Sequence, residues 1–277
     1  MRRAAALARG VWRGLCIAVL LAVAGVMALV VAASPRPLPP EPLTAWWMRQ
    51  LLGVLRVRVR CSGAPPAPDG LVVANHVSWL DIAVIASLLP GRFVAKSEVR
   101  DWPLIGALAA AAGSYFIRRG SNATQKLSDR MEQRLRAGGR IVLFPEGTTT
   151  AGDSVRRFHP RLFAAAANTS ATIQPLALRY GRAPDGRNVA PFVGDDAFLP
   201  HLLQLLGLPG LDVQVVLAPA FTANEERGAL ARKARAAVTE ALAAATPDAR
   251  PRPAAQDKGA ETVDGTAYAT GAPDKLD

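Results

Sequence analysis

A histidine and an aspartate five positions apart are the first residues whose types and spacing could do chemistry. They lie in ANHVSWLD, residues 74–81, directly after an apolar run. On one continuous helix, residues five apart point about 140° away from each other, so His76 and Asp81 can meet only across a turn. A carboxylate bonded to one imidazole nitrogen fixes the tautomer and leaves the other nitrogen as a general base. The alternative is structural, with His76 capping a turn and Asp81 capping the next helix.

Two further segments carry polar side chains directly after apolar runs. They are GSYFIRRG at 113–120 and FPEGTTT at 144–150. In α/β sheets, ligand-binding groups gather outside the carboxyl ends of the strands. We therefore expect Arg118, Arg119 and Glu146 to emerge at the same edge of the sheet as His76.

The elements that would position these residues alternate between apolar strands and helices. We predict strands at 71–74, 92–95, 114–117, 140–144, 172–178 and 212–217, and an arginine-alternating strand at 54–60. We predict helices at 80–89, 104–112, 123–136, 161–167 and 224–245. This alternation is typical of the α/β class, with a mixed central sheet flanked by helices.

Four segments in one order resemble the glycerolipid acyltransferase family, that of lysophosphatidic acid acyltransferases. They are NHVSWLD at 75–81, GSYFIRR at 113–119, FPEGT at 144–148 and IQPLAL at 173–178. Four ordered blocks are far more specific than any one of them, and the resemblance covers about residues 71–180. It implies a glycerol-3-phosphate acyltransferase-like fold.

The resemblance also implies a reaction and a set of site residues. The reaction would be O-acyl transfer from acyl-CoA or acyl carrier protein to a lysophospholipid hydroxyl, foremost that of 1-acyl-sn-glycerol 3-phosphate, giving phosphatidic acid. His76 would be the base and Asp81 its orienter. Arg118, Glu146 and Gly147 would hold the acceptor, with Thr148, Lys96 and Arg119 as further binding residues. The resemblance implies neither a metal nor a bound cofactor. Because a thioester is already activated, no protein nucleophile is required if a base can deprotonate the attacking hydroxyl.

The third block departs from the family pattern. It usually reads Glu-Gly-Thr-Arg, whereas Thr149 occupies the arginine position here. If that arginine normally pairs with phosphate, its loss removes a contact of about 1.5–3 kcal/mol. The cations that could replace it are Lys96, Arg156, Arg157 and Arg161, unless each is a solvated surface charge. The variant FPEGTTT…RRFHP also resembles bacterial members that acylate lyso-ornithine lipid, which is the alternative acceptor.

The N-terminal segment is long and apolar enough to enter a membrane. Residues 15–33 carry no charge, and about 20 such residues cross a hydrocarbon core of about 30 Å. A cleaved signal peptide is the rival interpretation, since Val31-Ala32-Ala33 resembles a cleavage site. Arginines on both flanks indicate either a re-entrant anchor or a second buried helix at 44–55. In the re-entrant anchor, Trp46, Trp47, Leu51, Leu52 and Leu55 would lie at the headgroups.

The charge distribution and a missing motif limit the classes of binding partner and of enzyme. The net charge is +11, and nine arginines against Glu41 fall within the first 60 residues. Because these arginines flank the apolar segment, they favour membrane lipid over nucleic acid as a partner. The non-enzyme alternative is a basic membrane-bound module that binds lipid or nucleic acid. The absence of Gly-x-Ser-x-Gly argues against a serine hydrolase.

The domain organisation follows from these segments. We predict a membrane anchor and linker at 1–60, an acyltransferase domain at 61–246 and a disordered tail at 247–277. Acyl donors are cytoplasmic, so we expect the cell inner membrane, with the catalytic domain on its cytoplasmic face.

Overall fold

The computed structural model describes residues 2–35, 38–102, 104–117, 123–194 and 196–245. The predicted tail at 247–277 lies outside this part of the chain, and so do the predicted site residues Arg118 and Arg119.

Helices and strands alternate through most of the described chain. The helices are α1 (Arg2–Ala33), α2 (Pro40–Leu55), α3 (Leu80–Leu88), α4 (Ile105–Ala111), α5 (Ala123–Arg136), α6 (Ala164–Thr169), α7 (Phe198–Gly207) and α8 (Arg227–Ala244), with short 3₁₀ helices at Ser97–Asp101 and Pro160–Phe163. The strands are β1 (Val57–Gly63), β2 (Gly70–Ala74), β3 (Arg92–Lys96), β4 (Tyr115–Ile117), β5 (Arg140–Leu143), β6 (Thr172–Tyr180), β7 (Leu211–Leu217) and β8 (Phe221–Thr222).

These strands form one mixed sheet, as predicted. Its order within the described residues is β1-β7-β6-β2-β5-β3-β4, with β8 paired to β6. Strand β2 is parallel to both β5 and β6, and β3 is parallel to both β5 and β4. Strand β7 is antiparallel to β6. All five residues of β2, GLVVA, are buried, as is typical of a parallel strand covered on both faces.

Helices cover both faces of the sheet. Because side chains alternate along a strand, Val72 and Ala74 face one apolar cluster, while Leu71 and Val73 face the other. The first cluster contains buried residues of α2, α3 and α7, and the second contains those of α5, α6 and α8. Strand β2 therefore lies at the centre of the fold, where packing fixes the position of its carboxyl end.

The N-terminal region differs from its prediction in three ways. Helix α1 begins at Arg2, well before residue 15. Helix α2 begins at Pro40, because proline is tolerated in the first turn of a helix. The arginine-alternating strand begins at Val57 rather than at residue 54, since α2 continues to Leu55. The boundary predicted between the anchor at 1–60 and the domain at 61–246 therefore falls inside strand β1.

Helix α2 settles the two alternatives for residues 44–55. Leu51, Leu52 and Leu55 are buried in the core, at 7%, 4% and 2% exposure. A helix is therefore present at 44–55, but its leucines are buried in the protein core rather than in a membrane, and their headgroup placement is wrong. Their burial follows from the position of α2 against α3 and the sheet.

Helix α1 is the membrane candidate. Within the described residues it alone, over Ala4–Ala33, is long and apolar enough to cross a membrane by length and composition, with a mean hydropathy of 3.0. The Trp47 indole N–H donates to the Leu20 carbonyl at 2.7 Å, so α2 contacts α1. Cleavage after Ala33 would remove this contact.

Candidate active site

The His76 and Asp81 side chains meet across a turn. His76 follows β2, and Asp81 lies in the first turn of α3. The imidazole Nδ1 is 2.8 Å from the Asp81 Oδ2 atom. The Asp81 side chain is fully buried, while that of His76 is 19% exposed. The expected contact is thus present, with the imidazole at the edge of the protein interior.

The Asp81 carboxylate accepts three further hydrogen bonds. Its Oδ2 atom accepts the backbone N–H groups of Val77 and Ser78 at 2.7 and 3.0 Å. Its Oδ1 atom accepts the Tyr180 hydroxyl at 2.7 Å. A buried carboxylate requires such partners. Because the carboxylate is an acceptor, Nδ1 of His76 carries the hydrogen, and Nε2 is left as the basic nitrogen.

Tyr180 was not anticipated from the sequence. It is the last residue of β6, which lies beside β2, and its hydroxyl is enclosed against Asp81. Burial raises the pKa of Tyr180 well above its ordinary value, and the neighbouring Asp81 charge adds to this. The hydroxyl therefore remains a donor at physiological pH. Its only signal in the sequence was its place just after the IQPLAL block.

An aromatic ring fixes the plane of the imidazole. The rings of His76 and Phe144 are stacked, with centroids 3.9 Å apart and an angle of 9° between planes. Phe144 begins the FPEGTTT segment, after β5. Among the described residues, no hydrogen-bond partner of Nε2 is present. The imidazole is thus held by a stacked ring and by Nδ1, with Nε2 available to a substrate.

Glu146 joins the His76 turn to a second loop. Its two carboxylate oxygens accept the backbone N–H groups of His76 and Arg156, both at 2.9 Å. Glu146 is 4% exposed. Burial raises the pKa of Glu146 above its ordinary value, while the two N–H bonds oppose that shift. The carboxylate is thus occupied by the protein's own backbone, and its predicted contact with the acceptor stays a prediction.

The rest of the FPEGTTT segment surrounds the His76 backbone. Thr150 donates to the His76 carbonyl through its N–H at 2.8 Å and its hydroxyl at 3.2 Å. Gly147 has φ +69°, and a Cβ there would lie 3.3 Å from the His159 imidazole. The positive φ favours glycine at this position, and the imidazole leaves little room for a side chain. Thr148 is partly buried in the same loop.

Asn75 and Trp79 hold the two ends of the turn, and neither was anticipated. The Asn75 amide donates to the Leu178 carbonyl at 2.9 Å and accepts the Leu178 N–H at 2.8 Å. The Trp79 indole donates to His201 Nδ1 at 2.9 Å. His201 Nε2 lies 3.1 Å from the Val189 carbonyl. The turn is therefore attached to both β6 and α7.

The candidate cations lie at different distances from His76. Lys96 ends β3, which is separated from β2 by β5, and its side chain is exposed. Strands are about 4.8 Å apart, so this is roughly 10 Å from the end of β2. Arg156 is nearer, because Glu146 binds its backbone and that of His76. Arg156, Arg157 and Arg161 are all exposed.

The structure therefore brings together His76, Asp81, Glu146, Gly147 and Thr148, and leaves Lys96 farther along the same edge. Within the described ranges, no group of three or more His, Cys, Asp or Glu side chains is arranged to hold a metal ion. The expectation of an enzyme without a metal or a bound cofactor stays a prediction.

Comparisons with known proteins agree with this geometry. A family model described as Acyltransferase matches residues 56–179. The lyso-ornithine lipid O-acyltransferase of Pseudomonas aeruginosa is 45% identical over 203 residues, covering 72% of this chain and 78% of that protein. The 1-acyl-sn-glycerol-3-phosphate acyltransferase of Neisseria meningitidis is 32% identical over 184 residues, covering 65% and 72%.

A solved structure shares the fold. The crystal structure of the 1-acyl-sn-glycerophosphate acyltransferase PlsC from Thermotoga maritima superposes with a TM-score of 0.65 at 20% sequence identity. The match covers 88% of this chain and 97% of that one, so it includes the sheet and the helices that carry the site.

Proposed function

Because the chain belongs to the acyltransferase family, we propose that it transfers a fatty acyl group from a thioester donor to the free hydroxyl of lyso-ornithine lipid, with His76 as the general base. The observation that carries this proposal is the Tyr180–Asp81–His76 chain of hydrogen bonds, which ends at an imidazole whose side chain is 19% exposed. The donor is acyl-CoA or acyl carrier protein.

The proposed reaction needs one base and no covalent enzyme intermediate. The His76 Nε2 atom takes the proton of the acceptor hydroxyl as its oxygen attacks the thioester carbonyl carbon. The new C–O bond forms, the C–S bond breaks, and the proton on Nε2 passes to the departing thiolate. Asp81 holds Nδ1–H and stabilises the transient imidazolium, since its buried carboxylate lies 2.8 Å away.

Two observations favour an ornithine head group over glycerol phosphate. The Pseudomonas relative is 45% identical to this chain, and the Neisseria relative is 32% identical. Thr149 also occupies the position where the phosphate-using pattern has arginine. An ornithine lipid presents a carboxylate and an amino group rather than a phosphate, so it requires less positive charge from the site. We propose Arg156 as the cation nearest to that carboxylate.

The second candidate acceptor is 1-acyl-sn-glycerol 3-phosphate. It is supported by the Neisseria relative and by the exposed arginines 156, 157 and 161 beside the site. For this acceptor, these arginines would supply the charge that Thr149 lacks.

Substitution of His76 or Asp81 tests the proposed acyl-transfer mechanism. We expect His76→Ala and Asp81→Asn to lower the rate of CoA release from acyl-CoA and lyso-ornithine lipid by about 10²–10⁴-fold, in a protein that remains folded. Asp185→Asn is the matched control, because Asp185 is exposed and pairs only locally with Arg187. Full activity in a folded His76→Ala protein would eliminate the proposed mechanism.

A competition assay tests the acceptor. One purified preparation is offered both lysolipids, and we expect ester formation on lyso-ornithine lipid to dominate. Thr149→Arg should raise the relative rate on the phosphate-bearing lipid about tenfold or more, since one charge-assisted contact contributes about 1.5–3 kcal/mol. Dominant acylation of the phosphate-bearing lipid by the unaltered protein would select the second candidate.

The proposed location is the cytoplasmic face of the cell inner membrane. The acyl donors are made in the cytoplasm, and α1 is an apolar helix of suitable length. Protease added to sealed spheroplasts should leave residues 247–277 intact. Their removal from sealed cells would place the chain on the opposite face.

A further inference from the structure

An exposed apolar face lies beside α1. On α7, Leu199 and Leu203 are one helical turn apart and are 61% and 59% exposed. On a neighbouring loop, Trp102 and Leu104 are 39% and 49% exposed. Helix α7, FLPHLLQLLG, contains no Asp, Glu, Lys or Arg. We refer to Leu199, Leu203, Trp102 and Leu104 as the docking face.

Aromatic contacts make the docking face continuous and connect it to the site. The Trp102 and Phe198 rings are 6.0 Å apart, so the loop borders the start of α7. The Phe198 and Trp79 rings are 5.2 Å apart. Trp79 lies in the turn that joins His76 to Asp81 and also bonds His201 of α7. Through these contacts of Trp79, α7 packs directly against the turn that carries the proposed base, His76.

Two arginines of α1 hold the other end of α7. Arg13, 5% exposed, donates to the carbonyls of Leu206 at 3.0 Å and Leu208 at 2.6 Å. Arg9 donates to the Gly207 carbonyl at 3.1 Å. The last carbonyls of a helix lack partners within it and attract cations. These bonds fix the end of α7 to α1 at the level of Arg9 and Arg13.

Arg13 is the last charged residue of α1. Residues 14–33 contain no Asp, Glu, Lys or Arg, so the apolar part of α1 begins directly after Arg13. A helix end bonded to Arg13 therefore lies where α1 would pass from the headgroups into the acyl chains. Within the described residues, Arg9 and Arg13 donate to the carbonyls at the end of α7, so both arginines bind helix carbonyls rather than an acidic side chain.

We propose that the docking face binds the surface of the lipid bilayer, with α7 lying in the plane of the membrane at the boundary between headgroups and acyl chains. An amphipathic helix of this kind is buried by about 5–10 Å. Continuity with α1 and the absence of charge on α7 favour lipid over a protein partner. Through Trp79, this contact holds the His76 turn at the membrane surface. The proposal does not depend on which lipid is the acceptor.

A fluorophore on α7 tests this. In the full chain with Cys16→Ser and Cys61→Ser, Leu203→Cys is labelled with an environment-sensitive dye and reconstituted into vesicles of phosphatidylethanolamine and phosphatidylglycerol. We expect a blue-shifted emission that is quenched more strongly by doxyl groups near the headgroup end of the acyl chain than by groups near its methyl end. Leu199→Cys should behave in the same way, and both positions are exposed enough to tolerate the change.

The control position is Glu240→Cys on α8. Glu240 is exposed, and α8 packs on the opposite face of the sheet from α7, so its dye should stay unquenched by every lipid. An α7 dye that matches this control would overturn the proposal. A blue-shifted α7 dye that no doxyl lipid quenches would overturn it as well, because a protein, such as a second copy of the chain, would then cover the face.

Discussion

At the residue scale, the site depends on how many bonds one buried carboxylate accepts. Asp81 binds the His76 imidazole, two backbone N–H groups and the Tyr180 hydroxyl. The backbone donors belong to the turn itself, so the same carboxylate shapes the turn and orients the His76 imidazole. An amide at residue 81 would turn one of these acceptor oxygens into a donor, which explains why Asp81→Asn should be severe.

Tyr180 is the most informative residue to alter. We expect Tyr180→Phe to lower kcat/KM by about 10- to 100-fold, because the lost bond to a charged group contributes about 1.5–3 kcal/mol. The measurement is the rate of thiol release with the acyl donor at saturating concentration and the acceptor concentration varied. Tyr115→Phe is the control, since Tyr115 is buried on β4, in the cluster that packs α5, away from Asp81. Equal activity of both variants would show that Tyr180 does not support the carboxylate.

At the element scale, two parallel strands and one helix determine where His76 lies. Strands β2 and β5 are parallel neighbours, so His76 and Glu146 emerge together at their carboxyl ends. Helix α7 then contacts the turn through His201. Indole N–H is only a donor, so His201 Nδ1 must be unprotonated to accept it, and Nε2–H donates to the Val189 carbonyl.

This tautomer gives the stability of the fold a pH dependence. Burial lowers the pKa of His201 below its ordinary value of 6.5. The unfolded chain therefore binds more protons than the folded chain just below that pH, and the free energy of unfolding falls as pH decreases through this range. One such group changes the free energy by at most about 1.4 kcal/mol per pH unit.

The measurement is Tm in detergent micelles at about pH 7.5 and about pH 5.5, on either side of the ordinary histidine value. His201→Gln preserves an acceptor and a donor but does not titrate, so its Tm should fall less on acidification than that of the unaltered protein. The difference between the two proteins isolates His201 from the other titrating groups. Identical pH dependence would contradict the assignment.

At the scale of the whole molecule, one buried carboxylate joins the N-terminal helices to the sheet. Glu41, 7% exposed at the start of α2, accepts Arg92 of β3 at 3.0 Å and Arg134 of α5 at 2.8 Å. Trp47 binds α1, and Arg9 and Arg13 bind the end of α7. The apolar helix α1 is thus attached to the same body that carries His76.

We expect Glu41→Ala to lower the free energy of unfolding by about 2–4 kcal/mol, because two partly buried guanidinium groups lose their shared partner. Asp212→Ala is the comparison, since it breaks an ion pair with Arg58 whose side chain is 60% exposed, and it should cost less than about 1 kcal/mol. Thermal unfolding in micelles measures both. Similar losses would mean that Glu41 does not couple the helices to the sheet.

The sequence alone determined those features that depend on short stretches of chain. Apolar runs predicted most strands, and the spacing of His76 and Asp81 predicted a turn between them, since both partners lie within one βα connection. The prediction did not include helix α7, whose Leu-rich run is only ten residues long. Tyr180, Asn75 and the arginine contacts of α7 have partners about 100–200 residues away along the chain.

Only the tertiary structure decided those partners, because they follow from strand order and helix packing. Strand β6 lies beside β2 rather than beside β5, and this places Tyr180 against Asp81. The packing of α7 against α1 likewise determines which carbonyls Arg9 and Arg13 bind. Local sequence specifies which side chains leave a strand, while the order of strands and the docking of helices specify what those side chains meet.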